Sequence, residues 1–564
     1  MSPSSLRRRP PRIFALLLAL TAGLSGCAVK RTVAPQTFMV PMSDGVKLAT
    51  DVYLPPKVKP PYPTILVRTP YGKGVGKDLA GNLCPLGYAV VAQDLRGRFD
   101  SQGKPAIIFG NDGLGGHQDG HDTIRWVAQQ SWSDGKLATW GGSALGIVQN
   151  MAAPDAPPAL KGEVVIMAFS DFYHQAAYQG GVWRKELLEG WLKSQKLEDV
   201  NLPTFLDHPT YDAFWKELSA VARADKVNAP GVYIGGWYDI FLQGTINSFV
   251  TIQERGGPQA RGHCFLVIGP IGHGALDPKI DYPRATQGPI NLMAPMDLLA
   301  YWLKGEPDGV ANLKPVNYYV MGDFEDKSAP GNFWRSADAW PPPAEVTPFY
   351  LHADHTLSRD RPAEDSKLTY RYDPQNPVPT LGGQNLFLAK GPVDQRPVES
   401  RPDVLVFTTE PLPEPVEVTG RLIAKLYVSS DCPDTDFTAK LCDVYPDGKS
   451  MLVTDGIRRA SLRNSFEKPE RLKPGEVYQV DVDLWSTSLI FNKGHRIRVA
   501  VSSSNAPRFE PNPNTGDPHP SPGRTRVATN TLFLSDKYPS QILLPLYNST
   551  EGAGGKASGK PAVP

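Results

Sequence analysis

Short apolar runs with no polar alternation recur along the first 340 residues, separated by helical stretches, and few architectures accept that order. The runs include PTILV (63–67), YAVVA (88–92), GVYIGG (231–236) and CFLVIG (264–269), and DTIRWVAQQ (122–130) is one of the intervening helical patterns. A strand that is apolar on both faces must be covered on both. Such runs therefore belong inside a parallel sheet with helices packed on each side. From AWPPPAEVTP (339–348) onward the pattern changes. RLIAKLYVSS (421–430), DFTAKLCDVYP (436–446), EVYQVDVDLW (476–485) and HRIRVAVSSS (495–504) alternate with period two, and no long helical pattern separates them. Two antiparallel sheets packed face to face, a jelly-roll β-sandwich, are predicted over 349–548.

The α/β part is interrupted. WRKELLEGWLKSQ (183–195) and DAFWKELSAVARA (212–224) read as amphipathic helices, which predicts a helical cap over 155–228 set between sheet-forming segments 27–154 and 229–340. The end of the chain, 549–564, is rich in glycine and small residues and is expected to be disordered. A chain of 564 residues has room for more than one core. Its 59 lysines and arginines nearly balance 58 aspartates and glutamates, which removes any electrostatic reason to expect nucleic acid and favours small, roughly neutral substrates.

The first 26 residues read as an export signal: Arg7, Arg8, Arg9 and Arg12 precede the apolar run IFALLLALTAGL (13–24). Leu24, Ser25, Gly26 and Cys27 resemble the bacterial lipobox. That resemblance implies lipidation of Cys27, attachment to a membrane through the lipidated N-terminus, and a place in the bacterial cell envelope. With no aspartate after Cys27, it points to the outer membrane. The alternative is an ordinary cleaved signal, an incidental cysteine and a secreted protein. Cys84, Cys264, Cys432 and Cys442 show no CxxC spacing, so a metal site built on them is not expected. Cys432 and Cys442 are close enough in sequence to pair in an oxidising compartment, and free buried thiols are the other reading.

TWGGSALG (139–146) follows a strand-like run and precedes an apolar, helix-like stretch. A serine between glycines at such a junction suits a nucleophile elbow, although the spacing G-x-S-x-x-G departs from the commoner G-x-S-x-G. A glycine-rich helix entry that binds phosphate is the rival reading. GKGVGKD (72–78) completes no P-loop, because Asp78 follows Lys77. A serine nucleophile needs a base, and the base needs an orienting carboxylate. Asp239 closes the run GVYIGGWYD and His273 follows CFLVIGP, so both stand beyond the ends of predicted strands, where open sheets carry their functional residues. A histidine base works only when neutral, so activity is expected to fall in mild acid. His117 and His121 have the spacing of a metal pair, but GGHQDGH is too rich in glycine to form a dependable helix.

The chain resembles the cocaine esterase and X-Pro dipeptidyl-peptidase family of serine hydrolases, the CocE/NonD-like group. The resemblance runs in order through SDGVKLATDVYLP, RTPYGK, DLRGRFDSQGK, WSDGKLATWGGSALG, HPTYDAFWKE, GGWYDIF, GPIGHG and WLKGE. It continues in PDTDFTAKLCDVYPDG and KGHRIRVAVSSSNAPRFEPN. It implies an α/β-hydrolase fold with an inserted helical cap and a C-terminal jelly roll. It further implies Ser143 as nucleophile, Asp239 as orienting carboxylate and His273 as base, with Tyr71 and the backbone N–H of Ala144 forming the oxyanion hole. No cofactor is implied. Within the matching motif, Asp94, Arg96 and Ser101 read as a structural clamp. Trp183, Trp191 and Trp215 read as cap core, with the acyl pocket as an alternative place for some of them.

Two departures from the family pattern bear on substrate. Relatives generally carry tyrosine directly after the nucleophile, and this chain has Ala144. Relatives that hydrolyse α-amino acid esters carry acidic residues after the orienting aspartate, and this chain has Ile240, Phe241 and Leu242. The expected activity is therefore that of an esterase or acylase on uncharged or aromatic acyl groups. An X-Pro dipeptidyl-peptidase is the alternative within the family. An envelope protein that binds carbohydrate or cell wall, with a relic hydrolase domain, is the alternative of another class.

Overall fold

The computed structural model describes residues 33–547 apart from 105, 289–293, 307–309, 311 and 518–522. Cys27, the signal segment 1–26 and the tail 549–564 lie outside the described residues.

The apolar runs pair as their burial requires. Ten strands form one sheet: β1 (Gln36–Pro41), β2 (Lys47–Tyr53), β3 (Tyr62–Thr69), β4 (Ala89–Asp94), β5 (Ser133–Gly142), β6 (Leu160–Ile166), β7 (Gly231–Tyr238), β8 (Phe265–Gly272), β9 (Val316–Val320) and β10 (Phe333–Ala337). Their spatial order is β1-β2-β4-β3-β5-β6-β7-β8-β9-β10; the seven strands β3 to β9 are mutually parallel, and at the edges β1 pairs antiparallel with β2, β2 with β4 and β10 with β9. Every residue of β4 and β7 is buried. Successive residues serve opposite faces: Ile65 and Val67 pack with helices Gly76–Leu83 and Ala294–Lys304, while Leu66 packs with helix Asp119–Ala128. Because β5, β7 and β8 run parallel, the residues that follow them emerge along one edge of the sheet.

One boundary differs from the sequence reading. Leu160–Ile166, placed within the cap, is strand β6 and lies between β5 and β7. A short apolar run does not declare by periodicity alone whether it is strand or helix, and the glutamate inside this one disguises a buried strand. The helical insertion therefore starts later and carries the helices Lys185–Gln195, Glu198–Asp207 and Ala213–Glu217. Trp183 and Trp215 lie in its core.

The C-terminal part is a sandwich. One sheet joins Leu357–Ser358, Glu345–Leu351, Gln541–Leu546, Val416–Ser430, Ala528–Leu534 and Ser366–Tyr372, with Tyr478–Phe491 also paired to Val416–Ser430. The other joins Leu405–Thr408, Arg496–Ser502, Asp436–Val444 and Ser450–Arg459. Cys432 and Cys442 do not pair: all four cysteines described are free and buried. Cys442 lies in mid-strand opposite Leu452 and Arg498, while Cys432 precedes the strand. The extended chain from Asp436 to Cys442 spans about 20 Å, which carries the second thiol beyond disulfide reach.

The sandwich is fastened to the hydrolase part by buried polar contacts. His495 lies 2.9 Å from Asp443 within the sandwich and 3.8 Å from Asp323, which follows β9. Tyr238, at the end of β7, donates to the Leu452 carbonyl at 3.3 Å.

Candidate active site

Ser143 follows β5 and caps the helix Ala144–Ala152, with φ 56° and ψ −127°. This strained conformation is rare for a residue with a side chain and is characteristic of a nucleophile elbow. The flanking sequence is what the turn demands. A Cβ at Gly141 would fall 2.3 Å from Leu145 Cβ, and one at Gly146 would fall 2.8 Å from Ala168 Cβ. The second glycine is thus needed at position 146, where the helix crosses the backbone beyond β6, and this accounts for the unusual spacing. The Ser143 N–H donates to the Ile166 carbonyl at 2.8 Å, which fixes the elbow to the neighbouring strand.

Asp239 and His273 arrive from the ends of β7 and β8. Ser143 Oγ lies 2.9 Å from His273 Nε2, and His273 Nδ1 lies 2.6 Å from Asp239 Oδ2. The other oxygen of Asp239 accepts the Phe241 N–H at 2.7 Å, so the carboxylate is anchored at both ends. The side chains of Asp239 and His273 are almost fully buried. In this low-dielectric setting a carboxylate orients the imidazole and stabilises the imidazolium that forms when it takes a proton. The Phe241 ring stands edge-on to His273 at 5.6 Å. Arg184, also buried, donates to the carbonyls of Gln175 and Ile240 and so ties the cap to the loop bearing Asp239. Burial, and then the neighbouring Arg508, lowers its pKa to about 9.

Tyr71 lies on the loop after β3. Its hydroxyl accepts the Trp191 indole N–H at 3.1 Å and is in hydrogen-bond contact with Ser143. Burial pushes this phenol up to about 12 against the opposing effect of those two contacts, so it carries its proton throughout the neutral range. Asp94 holds the loop by accepting the N–H of Lys73 at 2.5 Å and that of Asp100 at 3.3 Å. Arg96 grips Asp119 with two donors and Asp44 with a third. The Ser101 hydroxyl donates to the Asp94 carbonyl and accepts the Ala49 N–H. Asp94, Arg96 and Ser101 thus form a scaffold under the tyrosine and do not touch the reacting groups. The Ala144 N–H opens a helix, where no intrahelical acceptor exists for it and the helix dipole favours negative charge.

A cavity beside Ser143 has about 370 Å³ of unfilled space, mouth included. Apart from Ser143 and the Trp191 indole N–H, its walls are apolar, with Phe109, Phe169, Phe172, Leu187, Ile240 and Phe241 prominent among them. Leu386 completes the wall from a loop of the C-terminal part. That loop is latched to the cap: Glu186 accepts N–H groups from Leu386 at 3.5 Å and Leu388 at 3.1 Å, with Phe387 as a third donor. Lys390 donates to the Leu386 carbonyl at 3.0 Å.

All five residues expected at the reacting centre therefore meet here. Of the three tryptophans, Trp191 alone lines the cavity. Ile240 and Phe241, singled out in the sequence for replacing acids, are wall residues, while Leu242 is buried behind them. The sequence reading missed Phe109, Phe169, Phe172 and Leu386, which lie far apart in the chain with no shared motif. His117 and His121 form no pair, since His117 is in extended backbone before the helix that contains His121. The His121 ring instead bonds the Asp155 carbonyl at 2.8 Å.

Known relatives cover most of the chain. Residues 44–203 and 188–275 match the profile of the X-Pro dipeptidyl-peptidase (S15 family), and residues 308–543 match the X-Pro dipeptidyl-peptidase C-terminal non-catalytic domain. The cocaine esterase of Rhodococcus sp. (strain MB1 Bresler) is 34% identical over 579 residues, covering 90% of this chain and 97% of that protein. The crystal structure of an α-amino acid ester hydrolase superposes with a TM-score of 0.78 at 26% identity, covering 93% of this chain and 99% of the other. An aminopeptidase from the marine sediment archaeon Thaumarchaeota archaeon gives a TM-score of 0.77 at 25% identity, covering 93% and 98%.

Proposed function

The chain belongs to the X-Pro dipeptidyl-peptidase (S15) family and is a serine hydrolase acting on esters, and from that premise we propose an esterase or acylase for uncharged, apolar acyl groups. The observation that carries the proposal is the cavity wall, which offers aliphatic and aromatic surface next to Ser143 and, among the described residues, no carboxylate. An X-Pro dipeptidyl-peptidase must hold a free ammonium, and three acids on the cap side of the molecule are engaged with other groups. Glu186 holds the backbone of 386–388, Glu189 accepts the Trp183 indole N–H, and Asp171 binds His174 and Ser219.

In the proposed cycle Ser143 Oγ attacks the acyl carbonyl while its proton passes to His273 Nε2. Asp239 steadies the imidazolium through Nδ1. The Tyr71 hydroxyl and the Ala144 N–H donate to the oxygen as it becomes negative. Collapse expels the alcohol or amine, which takes the proton from His273 and leaves an acyl-enzyme on Ser143. Water, deprotonated by His273, then attacks the same carbonyl and releases the acid.

Hydrolysis of p-nitrophenyl acetate, butyrate and benzoate, run beside an Xaa-Pro p-nitroanilide and a cationic α-amino acid ester, tests this reading. The neutral esters should have kcat/KM at least about a hundredfold above the charged substrates, an unpaired buried ammonium costing several kcal/mol. A preference for the Xaa-Pro substrate would overturn it and establish the peptidase. Failure to react with a fluorophosphonate would point to a relic hydrolase.

We also propose that the protein is exported and anchored in the cell envelope through a lipidated Cys27, with outer-membrane placement. The support is the basic start, the apolar run and the sequence Leu24-Ser25-Gly26-Cys27. Cys27→Ser should move the protein from the membrane fraction to the soluble one. An unchanged distribution would refute the anchor.

A further inference from the structure

Trp191 occupies two sites at once. Its ring is part of the cavity wall, and its indole N–H points to the Tyr71 hydroxyl at 3.1 Å. An indole nitrogen can donate and cannot accept. The Tyr71 oxygen is therefore the acceptor in this contact, so the phenolic proton is not used by Trp191, and Ser143 is in hydrogen-bond contact with the same hydroxyl.

The surroundings hold the indole in that role. Phe109 stacks on it with ring centroids 5.7 Å apart and planes at 19°, and the Tyr71 ring meets it edge-on at 6.5 Å. Arg98 donates to the Pro70 carbonyl, one residue before Tyr71, and to the Gln195 carbonyl at the end of the helix carrying Trp191. One guanidinium thus fixes the spacing between the two backbones that carry the pair. The Tyr71 loop and the cap helix are more than a hundred residues apart in sequence, and Arg98 and the Trp191 to Tyr71 hydrogen bond join them within one small volume.

We propose that Trp191 is a positioning residue for catalysis: its N–H orients the Tyr71 hydroxyl toward the oxyanion and strengthens that hydroxyl as a donor while negative charge develops. The inference rests on the reading of Tyr71 as an oxyanion donor. Hydrogen bonds in series polarise one another, so an oxygen that accepts from Trp191 donates more strongly at its own proton. The contact also predicts that the wall of the acyl pocket and the strength of the oxyanion hole depend on one side chain.

A double-mutant cycle tests this with the full-length enzyme and p-nitrophenyl butyrate. Trp191→Phe keeps an aromatic wall and loses the N–H, and replacement of Trp191 by its benzothienyl analogue removes the N–H while keeping the bicyclic shape. Both should lower kcat by roughly tenfold, the effect expected of one neutral hydrogen bond in a dry site. In a Tyr71→Phe background the same changes should cost little more, because the hydroxyl they act through is gone. Trp191 losses that multiply fully with the Tyr71→Phe loss, or that appear in KM alone, would overturn the positioning role while leaving Tyr71 in the mechanism. An unchanged kcat in Tyr71→Phe itself would remove Tyr71 from the oxyanion hole and the inference with it. The benzothienyl variant guards against a packing failure, since retained shape with full activity also overturns the role.

Discussion

Glu186 on the cap helix accepts the backbone N–H of Leu388 at 3.1 Å and thereby pins a loop of the C-terminal part against the acyl pocket. The non-catalytic part is in this way a structural component of the site, because Leu386 on that loop is one of the walls. Glu186→Ala should release the loop. KM for butyrate and benzoate esters should rise several-fold while that for acetate, too small to reach Leu386, stays within about twofold, a wall methyl or methylene contributing ~1 kcal/mol. Amide hydrogen exchange at 386–388 should quicken in parallel. Unchanged exchange would contradict the latch.

Glu163 lies on β6 in the middle of the sheet, is about 1% exposed, and has no hydrogen-bond partner for either oxygen among the described residues. Burial pushes its carboxyl up to about 8. Between the ordinary carboxylate range and that value the unfolded chain has lost this proton and the folded chain keeps it. The associated stability is full below the ordinary range and is lost as pH rises to about 8. Glu163→Gln removes the titration. Measured by urea denaturation, the variant should gain on the parent between pH 5 and pH 8 by a few kcal/mol in order of magnitude. Identical pH dependence in the two proteins would contradict the assignment.

His495 has the opposite chemistry and the same sign. Burial is the largest single influence on its pKa and lowers it, but Asp443, by hydrogen bond and by charge, and Asp323 and Asp326, by charge, together outweigh burial and raise the value. Tyr445 packs its ring against the imidazole at 4.6 Å. A raised folded value means that the clasp stabilises the fold fully below the ordinary histidine range and weakens as pH rises through the raised value. His495→Gln should therefore lower Tm more at pH 5.5 than at pH 9. An equal loss at both would mean that the ring serves by packing alone.

The chemistry was legible in the sequence because parallel strands deliver their ends to one edge. Once GVYIGGWYD and CFLVIGP read as buried strands, Asp239 and His273 had to emerge beside the elbow at Ser143. Tyr71 and Ala144 came through family resemblance, since nothing in RTPYGK by itself marks an oxyanion donor. The pocket walls were hidden for a physical reason. Phe109, Phe169, Phe172 and Leu386 come from a loop after β4, the start of the cap and the far side of the domain junction, and tertiary packing alone brings them together. The unusual glycine spacing also needed the structure, because the crowding at Gly146 comes from Ala168, beyond the next strand.

The most direct test of the account is to mix the enzyme with p-nitrophenyl butyrate, quench in acid within milliseconds, and locate the acyl group by peptide mass spectrometry. The account predicts a butyryl adduct on Ser143 of the native protein. It also predicts no adduct in Ser143→Ala, whose kcat should fall by on the order of 10⁶. An adduct on another residue, or a Ser143→Ala enzyme that keeps half its turnover, would contradict it.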